Sequence, residues 1–161
     1  MIKIVVTKKL SPPVLRFEPV RGKGDTPAEV LWLVRITSEP LRGKVSLLAK
    51  RRDIQQARVR AQFSFNNQVL AEEFIDGDPD NLQGVDILAN NTIYDFTLVF
   101  KSQGYPECRV GGWGGTVLPA RSDIAALVTV MEGERPLGQS RFIIHNRDEH
   151  ITNLSVESTL D

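Results

Sequence analysis

Several features that assign a chain to a class are missing from this sequence. No apolar run approaches the roughly 18 residues that cross a bilayer. Neither a low-complexity tract nor a repeat of about 20 to 50 residues occurs. These absences argue against membrane-spanning, disordered and solenoid classes. With 161 residues, of which 41% are hydrophobic and 25% charged, the sequence predicts one globular domain over residues 1–161.

Cysteine is nearly absent as well. Cys108 is the single cysteine of the chain, so an internal disulfide and a cysteine-based zinc site are excluded. The charges of the first ten residues are interspersed with apolar residues, whereas a secretory signal peptide segregates the two. We therefore expect a cytoplasmic protein.

Signatures of catalysis are missing too. The chain has no Gly-x-Ser-x-Gly elbow, Cys108 lies in no recognisable nucleophile motif, and both histidines fall between residues 145 and 150. The sequence therefore predicts a protein that is not an enzyme and needs no cofactor. A hydrolase with paired carboxylates stays open as a weaker alternative.

Short runs of strand-favouring residues, separated by turns rich in Gly, Pro, Asn and Asp, dominate the chain. In the clearest runs apolar residues alternate with polar ones, which is the period of a strand with one buried face. The four clear runs are 30–36, 58–65, 93–100 and 124–131, and the shorter candidates are 2–7, 14–18, 44–50, 68–75, 138–145 and 151–157. Helix signals are poor: 51–57 would tolerate a short helix or a turn between two strands, and 123–127 is a weaker helix candidate.

The turn chemistry favours antiparallel pairing of these strands. Asn66-Asn67 lies between two alternating runs, and asparagine accepts the positive φ of a tight hairpin. The sequence therefore predicts an all-β fold, specifically an antiparallel β-sandwich of roughly ten strands.

The segment Leu-Ala-Asn-Asn-Thr-Ile-Tyr-Asp-Phe-Thr-Leu at 88–98 resembles the E-to-F corner of fibronectin type III and related immunoglobulin-like domains. Tyr94 would be the corner tyrosine, whose hydroxyl bonds to upstream backbone in that family. Trp32 is similar to the tryptophan that such sandwiches bury under the opposing sheet. Because the chain exceeds the ~100 residues of a plain domain, the resemblance implies an elaborated immunoglobulin-like sandwich.

Charge is distributed unevenly although the net charge is zero. Residues 1–60 contain 14 Lys or Arg against 5 Asp or Glu, whereas residues 61–161 contain 6 against 15. The basic residues concentrate in 41–60, where Arg51, Arg52, Arg58 and Arg60 are candidate binding residues. A basic face favours an acidic protein partner, and a second copy joined head-to-tail is the simplest one. The alternative is that these are ordinary solvated strand faces.

Two other kinds of partner receive less support from the sequence. No aromatic residue interleaves with the basic positions to stack on bases, which argues against nucleic acid, and no run could span a membrane. Trp113 lies in a glycine-rich segment at 111–115, where it is either tucked against the sandwich or displayed as a binding anchor.

An acidic segment offers a metal-binding alternative. Asp76, Asp78 and Asp80 alternate along a turn, and Asp86 follows nearby, so these carboxylates could bind calcium. The spacing is not that of an EF-hand, because Asn81 replaces the required glycine. The sequence thus predicts a non-catalytic binding or assembly module, with a calcium-dependent membrane- or ligand-binding sandwich as the alternative.

Overall fold

The computed structural model describes residues 8–76, 84–89, 92–111 and 115–159. The elements in this part of the chain are β1 (Lys9–Ser11), β2 (Leu15–Lys23), β3 (Glu29–Ser38), α1 (Val45–Leu48), β4 (Ala49–Arg51), β5 (Ile54–Phe65), β6 (Gln68–Phe74), β7 (Val85–Ile87), β8 (Ile93–Ser102), β9 (Cys108–Val110), β10 (Val117–Leu118), β11 (Ser122–Glu132), β12 (Arg135–Asn146), a 3₁₀ turn (Ile151–Asn153) and β13 (Leu154–Ser158).

Two antiparallel sheets pack against each other. Sheet I has the strand order β10-β9-β8-β3-β2, and sheet II has the order β13-β12-β11-β5-β6, with β7 pairing to the start of β5. A third, two-stranded sheet is formed by β1 and β4, which run parallel. The predicted all-β antiparallel sandwich is confirmed. No helix in the described residues is long and apolar enough to cross a membrane.

Alternation along the longest strands builds the core. On β5, Val59, Ala61 and Phe63 are fully buried, and on β11 every second residue from Ile124 to Val130 is fully buried. Both strands lie in the interior of sheet II, so each is paired on both sides. Burying a large apolar side chain contributes roughly 1.5–3 kcal/mol, which makes this stripe a major source of stability. The inward-facing stripe predicted for these strands is confirmed at these positions.

The turn between β5 and β6 sets the register of that hairpin. Asn66 and Asn67 have φ values of 48° and 62°, the positive values that a type I′ turn requires at both central positions. Phe65 and Gln68 close the turn, and a bulge between Phe63 and the next residue shifts the pairing by one. The predicted hairpin is confirmed.

The two aromatic residues that carry the family resemblance lie half-buried against the core. The indole Nε1 of Trp32 donates a hydrogen bond to the carbonyl of Leu154, 3.0 Å away on the opposing sheet. Tyr94 is paired with Ile36 across the β3–β8 ladder. Its hydroxyl has no hydrogen-bond partner within the described ranges. The immunoglobulin-like assignment stays a prediction.

A buried ammonium joins the sheets at one end. Lys101 on β8 is 1% exposed, and its Nζ donates to the carbonyl of Pro106 at 3.1 Å, to Asn146 Oδ1 and to the carbonyl of Asp148. Burial lowers the pKa of Lys101, yet the three oxygens satisfy its donors. Nearby, burial raises the pKa of the Cys108 thiol to about 11.

Some of the predicted elements are wrong. The strand predicted at 44–50 is instead the short helix α1 followed by the three residues of β4. Residues 45–48 bury no side chain in either sheet, so the strand pattern there has no surface to pack on. Of the two alternatives predicted for 51–57, a short helix or a turn between two strands, the helix does not form: residues 52–53 connect β4 to β5, which begins at Ile54. The weaker helix candidate 123–127 belongs to β11. The strand predicted at 2–7 lies outside the described residues.

Candidate binding groove

A groove of about 960 Å³ opens where the β1–β4 pair, the start of β5 and the turn between β11 and β12 meet. Its charged lining consists of Lys50, Arg51, Arg52, Arg58, Asp53 and Glu132. Four cations against two carboxylates give the lining a positive balance. A concave surface with an excess of positive charge favours an anionic ligand.

Arg52 and Glu132 form a two-pronged ion pair on one wall. Both guanidinium contacts measure 2.8 Å, and Glu132 also accepts the backbone N–H of Gln55 at 3.2 Å. The hydrogen bonds that Arg52 donates to Glu132 lower the pKa of Glu132 and raise the pKa of Arg52. This carboxylate is therefore occupied within the fold.

Arg58 is committed to the fold as well. Its Nε lies 2.7 Å from Asp76 Oδ2, with the two side chains 15% and 3% exposed. The guanidinium also stacks 4.0 Å above the ring centroid of Phe74, a cation–π contact. Asp76 additionally accepts the backbone N–H of Val59 at 3.2 Å. Arg58 therefore lines the groove as a structural residue.

A backbone irregularity at the start of β5 shapes the groove. The β5–β7 register shifts between Ile54 and Ala57, and Gln56 there has a φ of 53°. Asp86 Oδ1 accepts the backbone N–H of Gln56 at 2.8 Å. Opposite the bulge, Gly84 has a φ of 74°, and a Cβ at this position would meet the carbonyl oxygen of Ala57 at 2.5 Å. Glycine is the residue that fits this close approach.

The second lining carboxylate is also occupied. Asp53 Oδ1 accepts the backbone N–H of Ala89 at 2.7 Å. This contact fixes the Asp53 carboxylate without neutralising it, whereas Glu132 is neutralised by Arg52.

Lys50 and Arg51 are the cations of the groove that have no carboxylate partner in the described part of the chain. Arg51 is held by the carbonyl oxygens of Glu39 at 3.2 Å and Pro12 at 3.0 Å. Backbone carbonyls fix the guanidinium without neutralising it. These two side chains therefore supply the uncompensated positive charge.

The structure brings together three of the four arginines predicted as binding residues. Arg51, Arg52 and Arg58 line the groove, whereas Arg60 does not. Arg60 lies farther along β5 and pairs with Glu72 on β6 at 3.1 Å. Arg60, at the end of the basic run 41–60, and Glu72 thus lie on hydrogen-bonded neighbouring strands, and their charges compensate each other within the chain.

The predicted calcium ligands are only partly described. Asp78 and Asp80 lie outside the described residues, as does Trp113. Asp76 is paired with Arg58, and Asp86 accepts a backbone N–H. Within the described ranges, no group of three or more His, Cys, Asp or Glu side chains could hold a metal ion.

A second charged cluster lies on the outer face of sheet II. His145 on β12 contacts Asp123 on β11 through Nδ1 at 2.8 Å and Glu157 on β13 through Nε2 at 2.9 Å. The hydrogen bond to Glu157, followed by that to Asp123, raises the pKa of His145. Only the protonated imidazole can donate to both carboxylates at once.

The sequence did not predict that Glu132 and Lys50 would line the groove. Glu132 is 80 residues from Arg52 along the chain, so no local pattern shows the pair. Lys50 belongs to the basic run 41–60, so the sequence shows its charge. Its place in the groove, which Arg60 does not line, is not shown by the sequence because the groove forms only when β1 pairs with β4.

Comparisons with known proteins do not identify a family. No protein-family model matches the chain, and no curated protein or solved structure shows significant similarity to it.

Proposed function

We propose that this chain is a non-catalytic binding module whose groove takes an acidic segment of a protein partner. The observation that carries the proposal is the unequal use of charge in the groove. Glu132 is paired with Arg52, and Asp53 is the one lining carboxylate outside an ion pair, whereas two lining cations, Lys50 and Arg51, have no carboxylate partner in the described residues. Uncompensated cations in a concave surface attract anionic groups and orient their approach.

A partner other than a second copy is favoured by the internal use of the acidic residues. Glu72 pairs with Arg60, Asp76 with Arg58, and Asp95 with Arg35 at 2.8 Å. A second copy would have to break such pairs to offer these carboxylates. We therefore take a separate chain with a run of acidic residues as the partner, and self-association through carboxylates outside these pairs, such as Glu134 and Glu149, is an outcome that the test distinguishes.

The test uses a fluorescein-labelled oligoglutamate peptide as the probe and measures its anisotropy at low and high salt. We expect binding at low ionic strength that weakens as salt screens the charges. Lys50→Glu should weaken binding about tenfold, since it replaces an attractive contact with a repulsive one. The matched control is Lys23→Glu, the same charge reversal at an exposed position that does not line the groove.

Two results would contradict the proposal. One is the absence of peptide binding at low salt, and the other is an equal effect of the two charge reversals. Size-exclusion chromatography at both salt concentrations covers self-association: a dimer that dissociates at high salt would show that a second copy is the partner.

A further inference from the structure

The small β1–β4 sheet and helix α1 carry an exposed apolar surface beside the groove. Leu10, Val45, Leu47 and Leu48 are 56%, 56%, 68% and 70% exposed, and they are called here the apolar tip. Helix α1 buries none of its residues, whereas the inner faces of the two sheets bury aliphatic side chains such as Ile36, Val59 and Ile124 completely. Leaving four aliphatic side chains in water on one short segment is costly unless another apolar phase covers them.

Cations accompany the apolar tip on each of its segments. Lys8 and Lys9 precede Leu10 on β1, Arg42 and Lys44 precede α1, and Lys50 follows it. Lys8 also touches the helix directly, since its Nζ donates to the carbonyl of Ser46 at 2.7 Å. Residues 8–11 and 40–50 contain no Asp or Glu. The two segments that carry the tip are therefore positively charged.

The combination of exposed aliphatic side chains and unopposed cations fits one kind of surface. The headgroup region of a bilayer that contains anionic lipid offers negative charge and, just below it, hydrocarbon. Lysine and arginine reach headgroups while neighbouring leucines enter the acyl boundary. A protein hot spot more often uses Trp or Tyr, and residues 8–11 and 40–50 contain neither.

We propose that the apolar tip docks on a membrane surface that contains anionic lipid. The contact is peripheral and needs no calcium, because the cations of the chain itself supply the attraction. The tip adjoins the groove, since Leu10 and Lys50 belong to the lining of the groove. The two proposals are still tested separately, because Leu47 and Leu48 do not line the groove and the probe of the groove is a soluble peptide.

The test is co-sedimentation of the full chain with phosphatidylcholine vesicles, with and without phosphatidylserine, in the presence of a chelator. We expect binding to the phosphatidylserine vesicles only, weakening at high salt. The double variant Leu47→Ser/Leu48→Ser should bind at least about tenfold more weakly. The matched control Val69→Ser removes an aliphatic side chain that is 59% exposed on β6, and it should bind like the unaltered chain.

A second variant separates charge from apolar contact. Lys44→Glu should also lose binding to phosphatidylserine vesicles while keeping its melting temperature, because Lys44 is exposed and belongs to neither sheet. Three results would overturn the proposal: no binding to phosphatidylserine vesicles at low salt, equal binding by the Leu47→Ser/Leu48→Ser variant, or a dimer in solution that this double variant dissociates. The last result would make the tip an interface between copies.

Discussion

The ion pair between Arg58 on β5 and Asp76, just after β6, should contribute far more to stability than the neighbouring Arg60–Glu72 pair between β5 and β6. Asp76→Asn keeps the shape of the side chain and removes its charge, which leaves a guanidinium that is 15% exposed facing a neutral amide. Breaking a buried pair by neutralising one partner costs about 3–5 kcal/mol. Because Arg58 retains some contact with solvent, we expect a loss of about 2–4 kcal/mol.

The hairpin provides its own control. Glu72→Gln makes the same kind of change in the Arg60–Glu72 pair, whose side chains are both 41% exposed at a distance of 3.1 Å. Exposed pairs contribute about 0–1 kcal/mol, so Glu72→Gln should be nearly neutral. Urea denaturation followed by circular dichroism measures both variants, and an unchanged m-value shows that the comparison is valid. Equal losses in the two variants would refute the argument from burial.

The same variant tests the calcium alternative. If Asp76 left Arg58 to bind calcium, the ion would raise the melting temperature of the unaltered chain, and Asp76→Asn would abolish that rise. We expect no calcium-dependent rise in either protein, because the carboxylate is already held by Arg58 and by a backbone N–H.

Two further predictions concern sheet II. The pKa of His145 is raised, so its contribution to stability is fully present below the ordinary histidine pKa of about 6.5 and is lost as pH rises through the folded value. His145→Gln should therefore destabilise more at acidic than at alkaline pH, by at most about 1 kcal/mol since the neighbouring carboxylates are exposed; equal urea midpoint shifts at both pH values would contradict this. Gly84→Ala should lower the free energy of unfolding by at least about 1 kcal/mol, and by more than Gly104→Ala does. Both glycines have a positive φ, but of the two only Gly84 would place a Cβ against the Ala57 carbonyl. Similar melting temperatures for the two variants would count against the close approach.

Much of the sandwich could be predicted because short stretches of sequence indicate its strands and turns. Alternation over 58–65 and 124–131 marks strands whose inward side chains are buried, and Asn66-Asn67 marks the turn that joins β5 to β6. The strands β7, β9 and β10 were not predicted, because segments of two or three residues are too short to show a period.

The groove could be predicted only in part because its geometry is non-local. The basic run predicts a cluster of arginines, but whether each arginine lines the groove or pairs with a carboxylate depends on the strand register. The bulge beside Phe63 helps to place Asp76 against Arg58, and the parallel β1–β4 pair brings Lys50 and Arg51 to the groove. The exposed tip was missed because the pattern of 44–50 was interpreted as a strand that packs on a sheet.

The burial of Cys108 means that the single native thiol of the chain does not interfere with labelling of an introduced cysteine. Since the thiolate is the reactive form and the thiol pKa is about 11, roughly one thiol in ten thousand is ionised at neutral pH. A maleimide dye would therefore leave Cys108 unmodified and react with a cysteine introduced at an exposed position such as Leu48. A fluorophore placed there would sense the polarity around the short helix directly.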